Sequence, residues 1–457
     1  LKDIFTKTVF ANDISSYYRP VLSLSFMLDN LFFNSSPFAF HTTNILLHSI
    51  AAILFFFLLN HYYFKPLLSF ITVILFVAHP INMFAVVWIP GRNDLLLFIF
   101  LILSVIFLLN YLQTRKNYLI LIHYFLFFTA LLIKETALLF PFIYFLISYK
   151  KLSKTILSKA IVTWIFFCIL FLVLHFSASS KIFTATHYYH TLINNYKTLF
   201  DYYAGIFFLK IHFSAHTNLF SFYFGIAAVF MSFIFVYFCK LPKNEKILYF
   251  LMPLLIIEIN LLSDQLFYQA SRMYIPLAFI LIIFTSFLEQ LKNKKIMYFI
   301  LTILIILSSV LTTSKLKNFK DGVTLLAAVD DEKPNFNIIL ANLYSYNLLK
   351  NGNTHKAAEK IKEIAEITGY KNAYNLYLLA VINIYEKNYQ QAINILEPII
   401  NFDKKDILIK LFICYKYVGN SDKSAYYYDK LVGLSGSAKT ADILIEKQEG
   451  NLKNVQI

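Results

Sequence analysis

A few charged and polar residues punctuate long apolar runs in this sequence, and their types suggest phosphate chemistry. They are Tyr18-Arg19-Pro20 with Asp29, then His41, Asn44 and His48, then His79-Pro80 followed by Gly91-Arg92-Asn93-Asp94, then Lys134-Glu135, and finally Asp264 with Arg272. A charge at membrane depth is expensive, so each is a candidate functional group until a structural partner explains it. Arg19, Arg92, Lys134 and Arg272 are the candidate phosphate ligands. Arginine offers a planar fork matched to phosphate oxygens, and lysine a compact point charge. Cations gathered around a phosphate stabilise the negative charge that grows as a bonded group departs. Two structural alternatives stay open, pairing of Arg92 with Asp94 and of Lys134 with Glu135.

His41, Asn44, His79, Asp94 and Glu135 are candidates for orienting those cations or the ligand. Spacings of three and four put His41, Asn44 and His48 on one helix face. A hydrogen-bonded stripe between helices is the alternative, and it weighs more for His48 than for His41. Transfer to a hydroxyl would also need a general base. Asp3, Asp13 and Asp29 are the only carboxylates in the first segment and are weak candidates, so no catalytic residue is assigned. The spacing defines no metal site and no cofactor is certain, although a divalent metal stays open.

The elements that must position these groups are membrane helices. Of 457 residues, 58% are hydrophobic and 15% charged, outside the range of soluble globular chains. The apolar residues cluster in runs long enough to cross hydrocarbon. Candidate spans lie at 38–60, 67–85, 94–112, 118–133, 136–149, 156–176, 218–239, 247–262, 273–289 and 296–313. The two flanking Lys134-Glu135 are short for a crossing. Basic clusters at Arg115-Lys116, Lys150-Lys151, Lys240 to Lys246 and Lys292 to Lys295 should face the cytoplasm, which fits two short spans between Lys116 and Lys150 and an interfacial segment at 196–216. Residues 1–37, 79–93, 134–135, 177–217 and 263–272 then meet at the extracytoplasmic face, and seven of the ten acidic residues before position 321 gather there, counting Asp94 at the edge of 79–93. A polar reaction chamber on that face is the reading favoured here.

The net charge of +15 belongs entirely to the membrane part, because the chain from residue 321 onward holds 16 lysines and 16 acidic residues. Nucleic acid binding is therefore not indicated. Cys168, Cys239 and Cys414 make no disulfide framework or zinc spacing. The tail repeats: Ala357, Ala392 and Ala425 follow Asn351-Gly352-Asn353, Lys387-Asn388-Tyr389 and Gly419-Asn420-Ser421, with spacings of 35 and 33 residues. That is the period of tetratricopeptide helix pairs, whose stacked units form a small solenoid suited to binding peptide. The expected fold is all-α, a polytopic transmembrane bundle followed by this solenoid. Its expected parts are a partial external loop at 1–37, the bundle at 38–320, the repeats at 321–445 and a tail at 446–457.

Tyr18-Arg19-Pro20 through Asp29, Pro37 to His41, Asn44 and His48, Ala78-His79-Pro80, Trp88 to Leu95, Lys134-Glu135-Thr136-Ala137 with Pro141, and Arg272 to Pro276 together resemble membrane glycosyltransferases of the GT-C class with C-terminal tetratricopeptide repeats. The animal members are transmembrane tetratricopeptide O-mannosyltransferases, and the absence of an extended insert near 177–217 points to a bacterial relative. The resemblance implies a polyprenyl-phosphate sugar donor held among membrane lipid, an extracytoplasmic protein or glycan acceptor, and repeats on that same face. It places the protein in a bacterial inner membrane, or in the endoplasmic reticulum membrane of a eukaryote. It also implies a first helix and paired aspartates upstream of Tyr18-Arg19-Pro20. Leu1 opens in a polar stretch without an initiator Met, so the natural N-terminus and the catalytic aspartates are expected to precede it. Ser271 stands where relatives often carry an acidic residue. A lipid or polysaccharide transporter, with polar groups on both halves of the bilayer, and a non-catalytic scaffold for the repeats are the competing functions.

Overall fold

A computed structural model of the chain describes residues 17–34, 36–178, 202–207, 219–239, 270–331, 338–368, 373–401 and 404–454, with a few isolated positions. Every regular element among them is helical, and the chain forms two compact units, Leu1–Lys317 and Asn318–Ile457. The protein is all-α, with several helices fit to cross a bilayer. Five are long and apolar enough by themselves: Pro37–Tyr62, Ile89–Thr114, Lys154–Ala178, Ala270–Leu288 and Lys294–Phe319. The expected span at 247–262, and most of the interfacial segment at 196–216, lie outside the described residues.

Proline sets the starts of the first three helices among the described residues. Helices α1 (Pro20–Phe33), α2 (Pro37–Tyr62) and α3 (Pro66–Ala78) each carry it in the first turn, where a missing N–H removes no helical bond. Proline also ends α3. Pro80 drives His79 to an extended conformation, φ −64° and ψ 126°. The chain then turns through Pro80–Asn82 into α4 (Met83–Val86), bent 53° from α3. A sixth crossing results only if this bent pair counts as one span.

A second turn, Ile89–Gly91, opens α5 (Arg92–Thr114), and α6 (Asn117–Ile133) folds back against it. Gly91 is required by close approach: a Cβ there would stand 2.5 Å from the Phe84 carbonyl oxygen and 2.8 Å from the Ala85 Cα. Lys134 is extended and stops α6, after which the turn Glu135–Leu139 leads into α7 (Phe140–Ser148). These are the two short apolar elements that the sequence places around Lys134-Glu135. Beyond them come α8 (Lys154–Ala178), α9 (Leu219–Phe238), the turn Ala270–Met273 with α10 (Tyr274–Leu288), and α11 (Lys294–Leu316).

The second unit stacks consecutive helices α12 (Gly322–Asp331), α13 (Ile338–Lys350), α14 (Thr354–Thr368), α15 (Ala373–Tyr385), α16 (Tyr389–Leu396), α17 (Lys404–Val418), α18 (Ser421–Ser435) and α19 (Ala438–Asn454). Three of its turns are alike. Gly352, Lys387 and Gly419 adopt left-handed φ of 79°, 63° and 83°. The following Asn353, Asn388 and Asn420 donate their N–H groups to the carbonyls of Leu348, Asn383 and Tyr415 at 2.9, 2.7 and 3.0 Å, a Schellman closure of the preceding helix. Five residues after each left-handed position a small side chain is buried: Ala357, Ala392 and Ser424. This corrects the register expected for the third unit, because Ala425 is exposed and Ser424 occupies the tight contact. The left-handed positions are spaced by 35 and then 32 residues.

Candidate functional site

Among the described residues two ion clusters organise the first unit, and Arg92 belongs to the one that is sealed. Its Nη2 donates to Asp29 Oδ2 at 2.5 Å and to the Phe40 carbonyl at 3.1 Å, its Nε to Asn44 Oδ1 at 2.8 Å, and its Nη1 to the Ser25 carbonyl at 3.3 Å. The guanidinium also lies over the Phe26 ring at 4.5 Å. Asp29 Oδ1 accepts from Thr43 at 2.9 Å, and Asn44 donates to the Val86 carbonyl at 3.1 Å. Arg92 thus ties α1, α2 and the start of α5 together with no accessible surface. The expected alternative of Arg92 with Asp94 is not the pair that forms.

The second cluster gathers the other three cations. Arg19 grips Glu135 with both ends of its fork, Nη2 to Oε1 at 2.5 Å and Nε to Oε2 at 3.1 Å. Lys134 Nζ meets Asp94 Oδ1 at 2.6 Å, so Asp94 and not Glu135 is its direct partner. Asp94 sits in the first turn of α5, where the helix dipole favours a negative charge. Asp94, Arg19, Glu135 and Arg272 all lie within electrostatic reach of the Lys134 ammonium. Among the described residues the cluster therefore holds three cations and two carboxylates. Glu135 keeps 31% of its side chain exposed whereas Lys134 and Asp94 keep 4% and 5%, so the Arg19–Glu135 pair marks the open side.

Aromatic rings underlie this cluster. Tyr274, next in chain to the Arg272 turn, packs edge-on against Phe76 and Phe98 at 5.0 and 5.2 Å, and Phe55 completes the group. His48 Nδ1 bonds the Tyr274 hydroxyl at 2.6 Å. Rings packed this way exclude water and strengthen the electrostatics above them. His79 is committed structurally: Nδ1 accepts the Ile81 N–H at 3.3 Å, so Nε2 carries the proton and donates to the Ile206 carbonyl at 3.0 Å. His41 is half-buried on α2. Asp3, Asp13 and Asp264 lie outside the described residues. Among the described residues no group of three or more His, Cys, Asp or Glu side chains gathers to hold a metal.

Sequence reasoning missed a third polar group. His123, fully buried on α6, accepts the Trp164 Nε1–H at 2.9 Å and meets Ser104, which in turn donates to the Tyr144 hydroxyl at 3.1 Å. It fastens α5, α6, α7 and α8 together. A lone histidine inside an apolar run was the available signal.

Comparison with known proteins bears on the whole arrangement. The chain is 33% identical over 116 residues to the Homo sapiens protein O-mannosyl-transferase TMTC1, 31% over 108 residues to the Caenorhabditis elegans protein O-mannosyl-transferase F38B6.6, and 37% over 98 residues to the Xenopus laevis protein O-mannosyl-transferase tmtc2. About a quarter of the chain is similar to protein O-mannosyl-transferases. The matches take in 25%, 23% and 21% of this chain but only 12%, 16% and 12% of the relatives' lengths. No family model matches the chain, and no solved structure matches it.

Proposed function

We propose that this chain is a membrane glycosyltransferase of the GT-C type that moves a sugar from a polyprenyl-phosphate carrier to a hydroxyl of an acceptor, foremost a protein. The observation that carries this reading is the convergence of Arg19, Lys134 and Arg272 with Asp94 and Glu135 around one locus. A cluster richer in cations than carboxylates, backed by aromatic rings, suits a phosphate that gains charge as its sugar departs. Similarity to O-mannosyl-transferases over part of the chain favours mannose as the sugar. Arg92 acts in this scheme as a clamp that fixes α5, and Asp94 with it, and does not touch the carrier.

On this reading residues 1–37 and 79–93 and the C-terminal repeats face the extracytoplasmic side. The stacked helices of the second unit are taken as tetratricopeptide repeats. Between α14, α15 and α16 they form an open groove of 460 Å³ in which Lys362, Asn383, Glu386, Gln391 and Asn394 stand beside apolar residues such as Leu379 and Ile382, and its amides and charges suit the backbone of an extended acceptor peptide. The test uses the full-length natural protein in lipid vesicles with polyprenyl-phosphate mannose and a peptide acceptor. Arg272→Ala should lower transfer by about 100-fold or more, the effect of removing one group that stabilises developing charge, with thermal stability retained. Transfer undiminished in this variant would overturn the phosphate assignment.

A further inference from the structure

Beside the cationic cluster, Asp94 Oδ2, Asn82 Oδ1 and Asn93 Oδ1 are buried acceptors that lack donors among the described residues. Asp94 is 3% exposed; its Oδ1 takes Lys134, while its Oδ2 is buried and accepts no hydrogen bond from the described residues. Asn82 is 1% exposed, and its Nδ2 donates to the Phe76 carbonyl at 2.6 Å. That bond fixes the orientation of the amide and leaves Oδ1 as a second buried acceptor without a donor among the described residues. Such atoms are rare in native structures. A buried carboxylate oxygen, with its charge, is more demanding than an amide oxygen.

Asp94 and Asn82 both adjoin the proposed phosphate ligands. The Pro80–Asn82 turn packs on the Ala270–Met273 turn that carries Arg272, and Asp94 is the direct partner of Lys134. The complement is one-sided. Phosphate oxygens are themselves acceptors and cannot satisfy Asp94 Oδ2 or Asn82 Oδ1, whereas ligand hydroxyls can. A ligand that carries an anionic group on one side and several hydroxyls on the other matches both halves of the locus.

We propose that Asp94 Oδ2 receives a hydrogen bond from a hydroxyl of the ligand's sugar, with Asn82 Oδ1 receiving a second, so that these two residues recognise the sugar while the cations hold the phosphate. The proposal rests on the polyprenyl-phosphate sugar reading of this site. It assigns Asp94 a double duty, pairing Lys134 through one oxygen and reading the sugar through the other.

The experiment measures binding to the full chain in nanodiscs, independently of turnover. The probes are polyprenyl phosphate, polyprenyl-phosphate mannose and the four analogues lacking the 2-, 3-, 4- or 6-hydroxyl of mannose. In the unaltered chain the mannosyl lipid should bind about tenfold or more tightly than the bare phosphate lipid, and one deoxy analogue should lose about that factor. Asp94→Asn should lose it with the complete sugar and show no further loss with that analogue. Asn82→Leu, which leaves every charge in place, should erase the contribution of a different hydroxyl. It serves as the second variant should Asp94→Asn fold poorly. Equal binding of the two lipids, or a deoxy penalty that persists in both variants, overturns this proposal while leaving the phosphate assignment standing. Failure of both lipids to bind the unaltered chain overturns both.

Discussion

Arg92 Nη2 lies 2.5 Å from Asp29 Oδ2, and the arginine has no solvent-accessible surface. An ion pair buried this deeply is costly to break, because removing one partner leaves the other charged and desolvated. Asp29→Ala should therefore destabilise the first unit by about 3–5 kcal/mol. The double variant Asp29→Leu, Arg92→Met, which removes both charges, should recover a large part of the loss. Thermal unfolding of the purified variants in detergent checks this, and a double variant no better than the singles would refute the pair as the source.

Gly91 makes a second prediction about how α5 is aimed. A methyl group at this position would meet backbone atoms of Phe84 and Ala85 at 2.5 and 2.8 Å. Backbone cannot rotate away as a flexible side chain can, so α4 and the turn must shift together. Gly91→Ala should destabilise by about 1–3 kcal/mol. It should also lower binding of polyprenyl-phosphate mannose, since Asp94 lies three residues on. A stability and affinity equal to those of the unaltered chain would show that the bend absorbs the methyl group freely.

These two sites show how far the sequence reaches. Charges inside apolar runs mark themselves, and so Arg19, Lys134, Arg272 and their acidic neighbours could be singled out before any fold was known. Which carboxylate answers which cation could not, because the pairings span great distances along the chain: Arg92 with Asp29 across 63 residues, Arg19 with Glu135 across 116. Adjacent spacing suggested Arg92–Asp94 and Lys134–Glu135, and in both cases helix packing brought a remote partner closer. Proline was more legible. Pro80 acts through local sterics alone, and the candidate span at 67–85 that contains it is bent there by 53°. His123 went unnoticed because its partners, Ser104, Tyr144 and Trp164, are unremarkable singly and meet only through packing of four helices.

The register of the C-terminal turns is open to a direct test. Ala392 has no exposure and Ser424 is buried, whereas Ala425 faces outward. Ala392→Leu and Ser424→Leu should each cost about 1–3 kcal/mol through overpacking, and Ala425→Leu should stay within about 0.5 kcal/mol of the unaltered chain. Thermal unfolding followed by circular dichroism distinguishes the two classes. A large penalty at Ala425 with none at Ser424 would restore the register read from sequence.

Glu397 gives the second unit a defined acid sensitivity. Its Oε1 accepts from Tyr415 at 2.7 Å, from Tyr427 at 3.0 Å and from Lys423 at 3.3 Å. The Tyr415 hydroxyl first, then the Tyr427 hydroxyl and the Lys423 ammonium, hold its carboxyl below the usual glutamate value of 4.5. A carboxylate whose folded pKa is depressed adds stability that is fully present above the unfolded value and disappears as pH falls through the folded one. The stability of this unit should thus be flat near neutrality and decline as pH drops below about 4.5, with Glu397 contributing part of the slope. Glu397→Gln should be less stable than the unaltered chain at pH 7 and show a shallower decline, so that the two curves approach each other in acid. Urea unfolding of the full chain at a series of pH values, read from tyrosine fluorescence, measures both slopes. Parallel curves would mean that protonation of Glu397 is not linked to folding, and that its three donors serve the charged and the neutral carboxyl equally.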